Sequence, residues 1–376
     1  MNGKTGRAGH RRISKVFASA AIAAGALILG INTAAGTSPH VTTVVYDNFQ
    51  AAGGYTLSNY NAKWSNTFGL GDMAATCSDG SPAHGDTRSF AGGDFFINDA
   101  PFTCGADFSV FDHLKYIATS NATFPVPSNG SLTFSSDITA QTPGTEVGHV
   151  VHGTYGPPGS YPNGAPYAAT VLQGQQAGAV MNMINFATGQ LFDWFVAGNT
   201  AFTLVERLPS SVSGNAPGPS SPNWVGPEKM YTQIVDEVAI TPGAKHNVAI
   251  TYTRGTGNGD STVEFFLDGM RVTKVNNVGI PLDKQPGQKY TGIYPSFGPG
   301  EDLRTKLNSF TIGHGTFTLL DAFPFQWGWS FTPFPTCDPL YPAVCNSSVS
   351  IPLSERLFGQ GVIGHFDNFT VTTDTR

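Results

Sequence analysis

Charge is what this chain has least of. Only 12% of its 376 residues are Asp, Glu, Lys or Arg, about half the share usual in soluble domains. Apolar positions at the 3.6-residue period are almost missing, which excludes helix bundles and coiled coils. Beyond residue 31 no apolar run approaches the length of a membrane-spanning helix. Gly-x-Ser-x-Gly, the glycine-rich phosphate loop and the dinucleotide fingerprint are all absent, so nothing points to an α/β-hydrolase serine, a nucleotide-phosphate enzyme or a dehydrogenase. Cysteine is scarce, at four residues with no Cys-x-x-Cys spacing, which argues against a thiolate zinc site.

What remains is rich in Gly (45), Pro (26) and Phe (27), with aromatics at 12%. That composition is too apolar for a disordered chain and fits many short strands joined by tight turns. The clearest local pattern is "HNVAITYTRGTGNGDSTVEFFLDGMRV", residues 246–272. Val248, Ile250 and Tyr252 alternate with Ala249, Thr251 and Thr253, and Val263, Phe265 and Leu267 resume the alternation after a glycine-rich turn. Asp268-Gly269 supplies the next turn. A meander is expected upstream, with strands over 181–186, 191–196 and 202–207. A last strand is expected over 362–372, and its "HFDNFTV" echoes "VVYDNF" at 44–49. In a Greek-key sandwich the first and last strands commonly become neighbours.

The first 35 residues have the build of a cleaved export signal. Lys4, Arg7, Arg11, Arg12 and Lys15 precede the apolar stretch 16–31, and Thr33-Ala34-Ala35 offers the small residues of a cleavage site. Arg11-Arg12 leaves both the general and the twin-arginine route open. Removing these five bases takes the chain from 20 to 15 Lys+Arg against 26 Asp+Glu, a formal charge near −11. Such a surface argues against nucleic acid and anionic lipid as partners. In an exported chain Cys77, Cys104, Cys337 and Cys345 read as two disulfides. Sequence proximity favours Cys77–Cys104 and Cys337–Cys345, with three pairings open. Residues 36–376 are expected to form one domain, since no interdomain linker is visible. Long loops are expected at about 155–166, 209–227 and 321–345.

The hairpin over 246–272 resembles the late hairpin of concanavalin A-like and laminin G-like jelly rolls, and "VVYDNF…Y…KW" resembles the opening of family-16-type glycoside hydrolases. Through "VVHGTYGPPGSYPNG" and "LQGQQAGAVMNMINFATGQLFDWF" the chain is similar to a family of secreted actinobacterial proteins known only as a domain of unknown function. The resemblance covers most of 44–372. It implies an all-β, concanavalin A-like jelly-roll sandwich of two antiparallel sheets, and it implies no activity. The Glu-x-Asp-x-x-Glu strand of family-16-type glycosidases is missing. By the same resemblance a structural calcium is expected near the first and last strands, on Asp47 and Asp367.

Two further sets of residues carry the functional expectations. Asp193 and Glu206 face each other across the second hairpin of the meander if four-residue turns join its strands, with Asn182 and Phe195 on the same face. Paired carboxylates could share acid and base roles. Trp327 and Trp329 sit in a loop crowded with Phe323, Phe325, Phe331 and Phe334; with Trp224, Trp194 and Asn182 they are the candidate ligand-binding residues, since flat rings stack on sugar faces. The histidines form no ligand set; His149 and His152 lie too close together. The reading that best fits is a secreted protein that binds carbohydrate or cell-envelope polymer without catalysis, at the concave sheet and its long loops. The alternatives are a glycan-active hydrolase or lyase using Asp193 and Glu206, and a structural surface protein.

Overall fold

The computed structural model describes residues 40–66, 87–90, 92–102, 114–145, 148–155, 167–171, 173–208, 210, 220–256, 260–294, 296, 298–320 and 358–375. Among them two antiparallel sheets pack into a jelly-roll sandwich. The eight-stranded sheet runs β16 (Met270–Asn276), β15 (Thr262–Leu267), β14 (Lys245–Thr253), β7 (Gly130–Gln141), β19 (Ile363–Thr375), β4 (Phe95–Asn98) and β3 (Thr87–Ser89). β1 (His40–Asp47) pairs with the far half of β19. The nine-stranded sheet runs β17 (Gly292–Tyr294), β13 (Tyr231–Ala239), β12 (Thr200–Arg207), β11 (Gln190–Val196), β10 (Gly178–Asn185), β18 (Ser309–Phe317), β5 (Leu114–Ser120) and β2 (Trp64–Asn66), with β6 (Phe124–Pro125) on β18. A hairpin of β8 (Val151–Tyr155) and β9 (Tyr167–Val171) stands apart.

The hairpin of residues 246–272 folds as its alternation requires. Val248, Ile250 and Tyr252 of β14 and Val263, Phe265 and Leu267 of β15 all enter the core, while their neighbours face outward. Asp268 (φ 50°) and Gly269 (φ 78°) form a two-residue turn with both residues left-handed, the type I′ geometry that matches strand twist. His246 Nδ1 and Asp268 meet at 2.8 Å, and Asp268 also accepts from Asn247 N–H at 2.9 Å. The His and Asp-Gly of this pattern therefore clasp the end of the hairpin.

First and last strands do pair. β1 runs antiparallel along β19 from His40↔Thr375 to Val45↔Thr370. β19 lies between β7 on one side and β1 and β4 on the other. A bulge after Asp367, with Asn368 at φ 52°, switches the strand's faces midway. Asp367 thus stands outside, opposite Asp137, while Phe369 turns into the core.

Between the sheets, rings from both sides interlock. Trp194 meets Phe265 edge-on at 6.1 Å and Phe192 stacks on Tyr252. His314 of β18 lies fully buried among Trp64, Phe95, Phe366 and Phe369, with ring centroids 4.6–5.3 Å away. Its Nε2 is 2.8 Å from the Tyr60 hydroxyl, which in turn lies 2.6 Å from that of Tyr116. Tyr60 comes from the single α-helix among the described residues, α1 (Leu57–Lys63), started by a capping box between Thr56 and Asn59.

The central strands of the nine-stranded sheet do not alternate. Every residue of β10 and β11 is buried. The face turned away from the sandwich core carries Val180, Ile184, Phe195, Phe202, Leu204 and Phe317, all buried, with Phe195 stacked on Phe202 at 4.4 Å. This is the face on which an open binding surface is expected from the sequence. It is a second apolar layer instead.

Candidate functional site

The meander places Asp193 and Glu206 on one face, though two residues out of the expected register. A two-residue turn at Gly198-Asn199 closes β11 onto β12, with Ala197 N–H donating to Thr200 O. Asp193 consequently pairs with Leu204, and Glu206 with Leu191. A slip of two keeps the face, whereas a slip of one would lose it. The carboxylates are diagonal neighbours, about 7–8 Å apart at Cα. Asn182 lies directly opposite Asp193 on β10 and donates from Nδ2 to its Oδ1 at 2.6 Å. Thr232 donates to Glu206 Oε2 at 2.9 Å.

Asp193 is 1% exposed and Glu206 6%. Burial first, and then the charge of Glu206, drives the Asp193 carboxyl well above its ordinary value, against the pull of the Asn182 bond. The folded protein therefore holds a proton there that the unfolded chain releases near pH 4. Stability from this group is fully present below that pH and declines as pH rises toward the folded value. Asp193→Asn is expected to be nearly neutral at pH 4 and to raise stability by roughly 1–2 kcal/mol at pH 8. Urea unfolding at both pH values tests this; an equal difference at the two would refute it. Asp193 and Asn182 form a buried polar pair among the apolar side chains of this face.

Arg207, next to Glu206, points the other way. Its Nη2 meets Glu301 at 2.7 Å, and Lys306 also binds that carboxylate. Burial would raise Glu301, but Lys306 and Arg207 hold it at about 2.

The expected calcium pair is divided by the sheet. Asp47 points into the core, beside Phe369, whereas Asp367 stands on the outer face across from Asp137. Asp47 is saturated: Oδ1 accepts from Phe49 N–H at 3.1 Å and Lys63 Nζ at 2.9 Å, and Oδ2 from the Tyr55 hydroxyl at 2.5 Å and Trp64 Nε1 at 2.8 Å. Four donors fill the lone pairs of a carboxylate. Burial, then the charges of Asp137 and Asp94, pushes Asp367 up despite Asn368 N–H and Lys245. Among the described residues no group of three or more His, Cys, Asp and Glu is arranged to hold a metal ion.

Two other candidates are also reassigned. Trp194 is a core residue that reaches across the sandwich, its Nε1 donating to Ala249 O at 3.0 Å. Asn182 is committed to Asp193. Trp224 is half-buried, with its carbonyl accepting from Lys229 Nζ at 2.9 Å. Trp327, Trp329, the four cysteines and residues 1–35 lie outside the described residues.

The sequence expectations missed a polar cleft at the end of the featured hairpin. It has a volume of about 290 Å³ and is lined by Asp260, Asn276, Asn277, Gln285 and Gln288, with Lys284, and with Ile280 and Pro286 as apolar wall. Asp260 stands just before β15 and Asn276 ends β16, opposite Thr262. The chain then turns through Asn277 at φ 50°, and Ile280 N–H closes onto Asn277 O at 3.0 Å. Gln285 Nε2 donates to Ile280 O at 2.8 Å. In the amide orientation that satisfies both groups, Asn277 donates to Asp260 Oδ1 at 2.7 Å. The amide-rich run "VNNVGIPLDKQPGQ" after β16 is the signal that could have located it.

A carboxylate, four amides and an ammonium in one concavity offer both acceptors and donors at close spacing. Polyhydroxylated ligands require that combination, because each hydroxyl both gives and takes a hydrogen bond. The size suits a ligand of one or two sugar rings, at the small end of ligand pockets.

A family model described only as of unknown function matches residues 73–375. No curated protein sequence matches the chain. Among solved structures the chain is similar to an endo-1,3-beta-glucanase from Streptomyces sioyaensis, at 11% identity and a TM-score of 0.38, covering 92% of this chain and 99% of that one. It is similar to the potassium-bound Emp46p carbohydrate recognition domain at 7% and 0.32, with 87% and 94% covered. It is also similar to the alginate lyase PA1167 from Pseudomonas aeruginosa at 9% and 0.33, with 82% and 97% covered. Scores this low say nothing of activity.

Proposed function

The chain belongs to the family of unknown function DUF6081, and since membership fixes no activity, we propose one from the chain's own surface: non-catalytic binding of a carbohydrate in the cleft of Asp260, Asn276, Asn277, Gln285 and Gln288. The observation that carries this reading is the concentration of one carboxylate and four amides in a concavity of about 290 Å³. Asp260 accepts two ligand hydroxyls, the amides bond those beside them, and Ile280 and Pro286 cover a ring's C–H face. An exported protein of this kind would meet such ligands as oligosaccharides or as ends of cell-envelope polymer. The hydrolase or lyase alternative is disfavoured by the burial of Asp193 and Glu206.

Screening the protein on a glycan array, followed by calorimetry on the strongest hit, tests the proposal. Asp260→Ala and Asn277→Ala are each expected to weaken binding at least tenfold, about the loss of one charge-assisted or two neutral hydrogen bonds. Asp260 lies on a loop outside the sandwich core, so Tm should hold in Asp260→Ala, whereas Asn277→Ala should lower Tm modestly, because alanine is strained at φ 50°. Absence of any glycan hit, or hits that ignore both substitutions, would remove the proposal.

A further inference from the structure

We propose that β1 is a dimerisation edge, on which a second copy of this chain adds its own β1 antiparallel and continues the eight-stranded sheet across a twofold axis. Edge strands invite pairing, and proteins blunt them with short length, Lys or Pro. Among the described residues, the outermost strands of the two large sheets other than β1 are blunted. β2, β3 and β17 have three residues each, and β16 carries exposed Arg271 and Lys274. β1 is eight residues long, "HVTTVVYD", and has no Lys, Arg or Pro. Among the described residues it pairs with β19 alone. His40 to Val45 are all exposed, with Val41 at 61%, Val44 at 55% and Val45 at 56%.

The strand is complementary to itself in sequence as well as charge. The Thr43 and Thr372 hydroxyls approach to 2.8 Å, which fits a non-hydrogen-bonded pair, where side chains lie closest. In that arrangement the backbone groups of Val41, Thr43 and Val45 turn to the free edge. A twofold through Thr43 then sets Thr43 against its own copy, Val41 against Val45 and Thr42 against Val44. Every pair is β-branched on β-branched, the combination favoured across strands, and none brings like charges together. In a chain of net charge −6, a neutral strand is where two copies approach at least electrostatic cost.

Sedimentation of the purified protein between roughly 1 and 100 μM reads the association. A reversible dimer is expected, weakened at least tenfold by Val44→Lys and by Thr43→Pro, with Tm unchanged in both. Should Thr43→Pro unfold the protein, Val41→Lys takes its place. A monomer over the whole range, or a dimer indifferent to the edge substitutions, overturns the proposal. So does wild-type protein that elutes only with another molecule bound at this edge.

Discussion

The folded protein is expected to lose about 5 kcal/mol of stability between pH 6.5 and pH 3 through His314 alone, and His314→Phe should remove that loss. Burial lowers the imidazole from its ordinary 6.5 to about 3. In the unfolded chain the ring protonates near pH 6.5, while in the core it stays neutral. The sign follows directly. Above pH 6.5 both states are neutral and the group contributes no pH dependence. Below it the unfolded state takes up a proton that the folded state refuses, costing about 1.4 kcal/mol per pH unit down to the folded value. The cause lies in the cage: Trp64, Phe95, Phe366 and Phe369 surround the ring, and its Nδ1 has no hydrogen-bond partner. Phenylalanine fits that cage, and Tyr60 keeps its bond to Tyr116. Some overpacking cost at neutral pH is expected, about 1–3 kcal/mol. Urea unfolding from pH 7.5 to pH 4 distinguishes the effects, because packing shifts both ends of the curve equally. Parallel pH profiles for wild type and His314→Phe would sink the claim.

Asp47→Ala should cost about 3–4 kcal/mol at neutral pH, while a chelator leaves the wild-type Tm where it was. The carboxylate collects donors from three segments: the turn at Phe49, the loop at Tyr55, and the junction of α1 with β2 at Lys63 and Trp64. Lys63 is 38% exposed and can swing to water, so its share is small. The Trp64 N–H, the Phe49 N–H and the Tyr55 hydroxyl cannot all do so, and each buried donor left unmet costs about 1 kcal/mol or more. Calorimetric Tm of both proteins with and without chelator checks it. A loss below about 1 kcal/mol would refute this account of the four donors, and a chelator-sensitive wild type would restore the calcium reading.

How much was legible in the sequence depended on whether a strand shows water one face. β14 and β15 do, and their alternation gave the register, the core residues and the Asp268-Gly269 turn. β10 and β11 are buried on both faces, so period 2 carried no information about which side of Trp194 or Asn182 looked inward. The carboxylate pair kept its face only because the turn at Gly198-Asn199 shortened by an even number of residues. Asp47 and Asp367 looked equivalent as Asp-Asn-Phe repeats. The bulge at Asn368, which no local pattern announces, put them on opposite faces. The cleft was missed for another reason: its residues come from two loops separated by β15 and β16, and amides between strands resemble ordinary turns.

The position of β19 bears on the order in which the molecule can assemble. The meander β10 to β13 joins neighbours in sequence, so its hairpins can close as soon as they exist. The eight-stranded sheet cannot. Its central strand is residues 363–375, which are synthesised after every strand they pair with, and those begin at residues 40, 95 and 130. Loops of that span close slowly, since chain entropy is lost before any pairing repays it. Until β19 arrives, β1 and β4 have no partner on that side and the cage around His314 lacks Phe366 and Phe369. One half of the sandwich therefore waits on the 13 residues of β19, and a nascent chain stalled before them would display open strand edges to its surroundings.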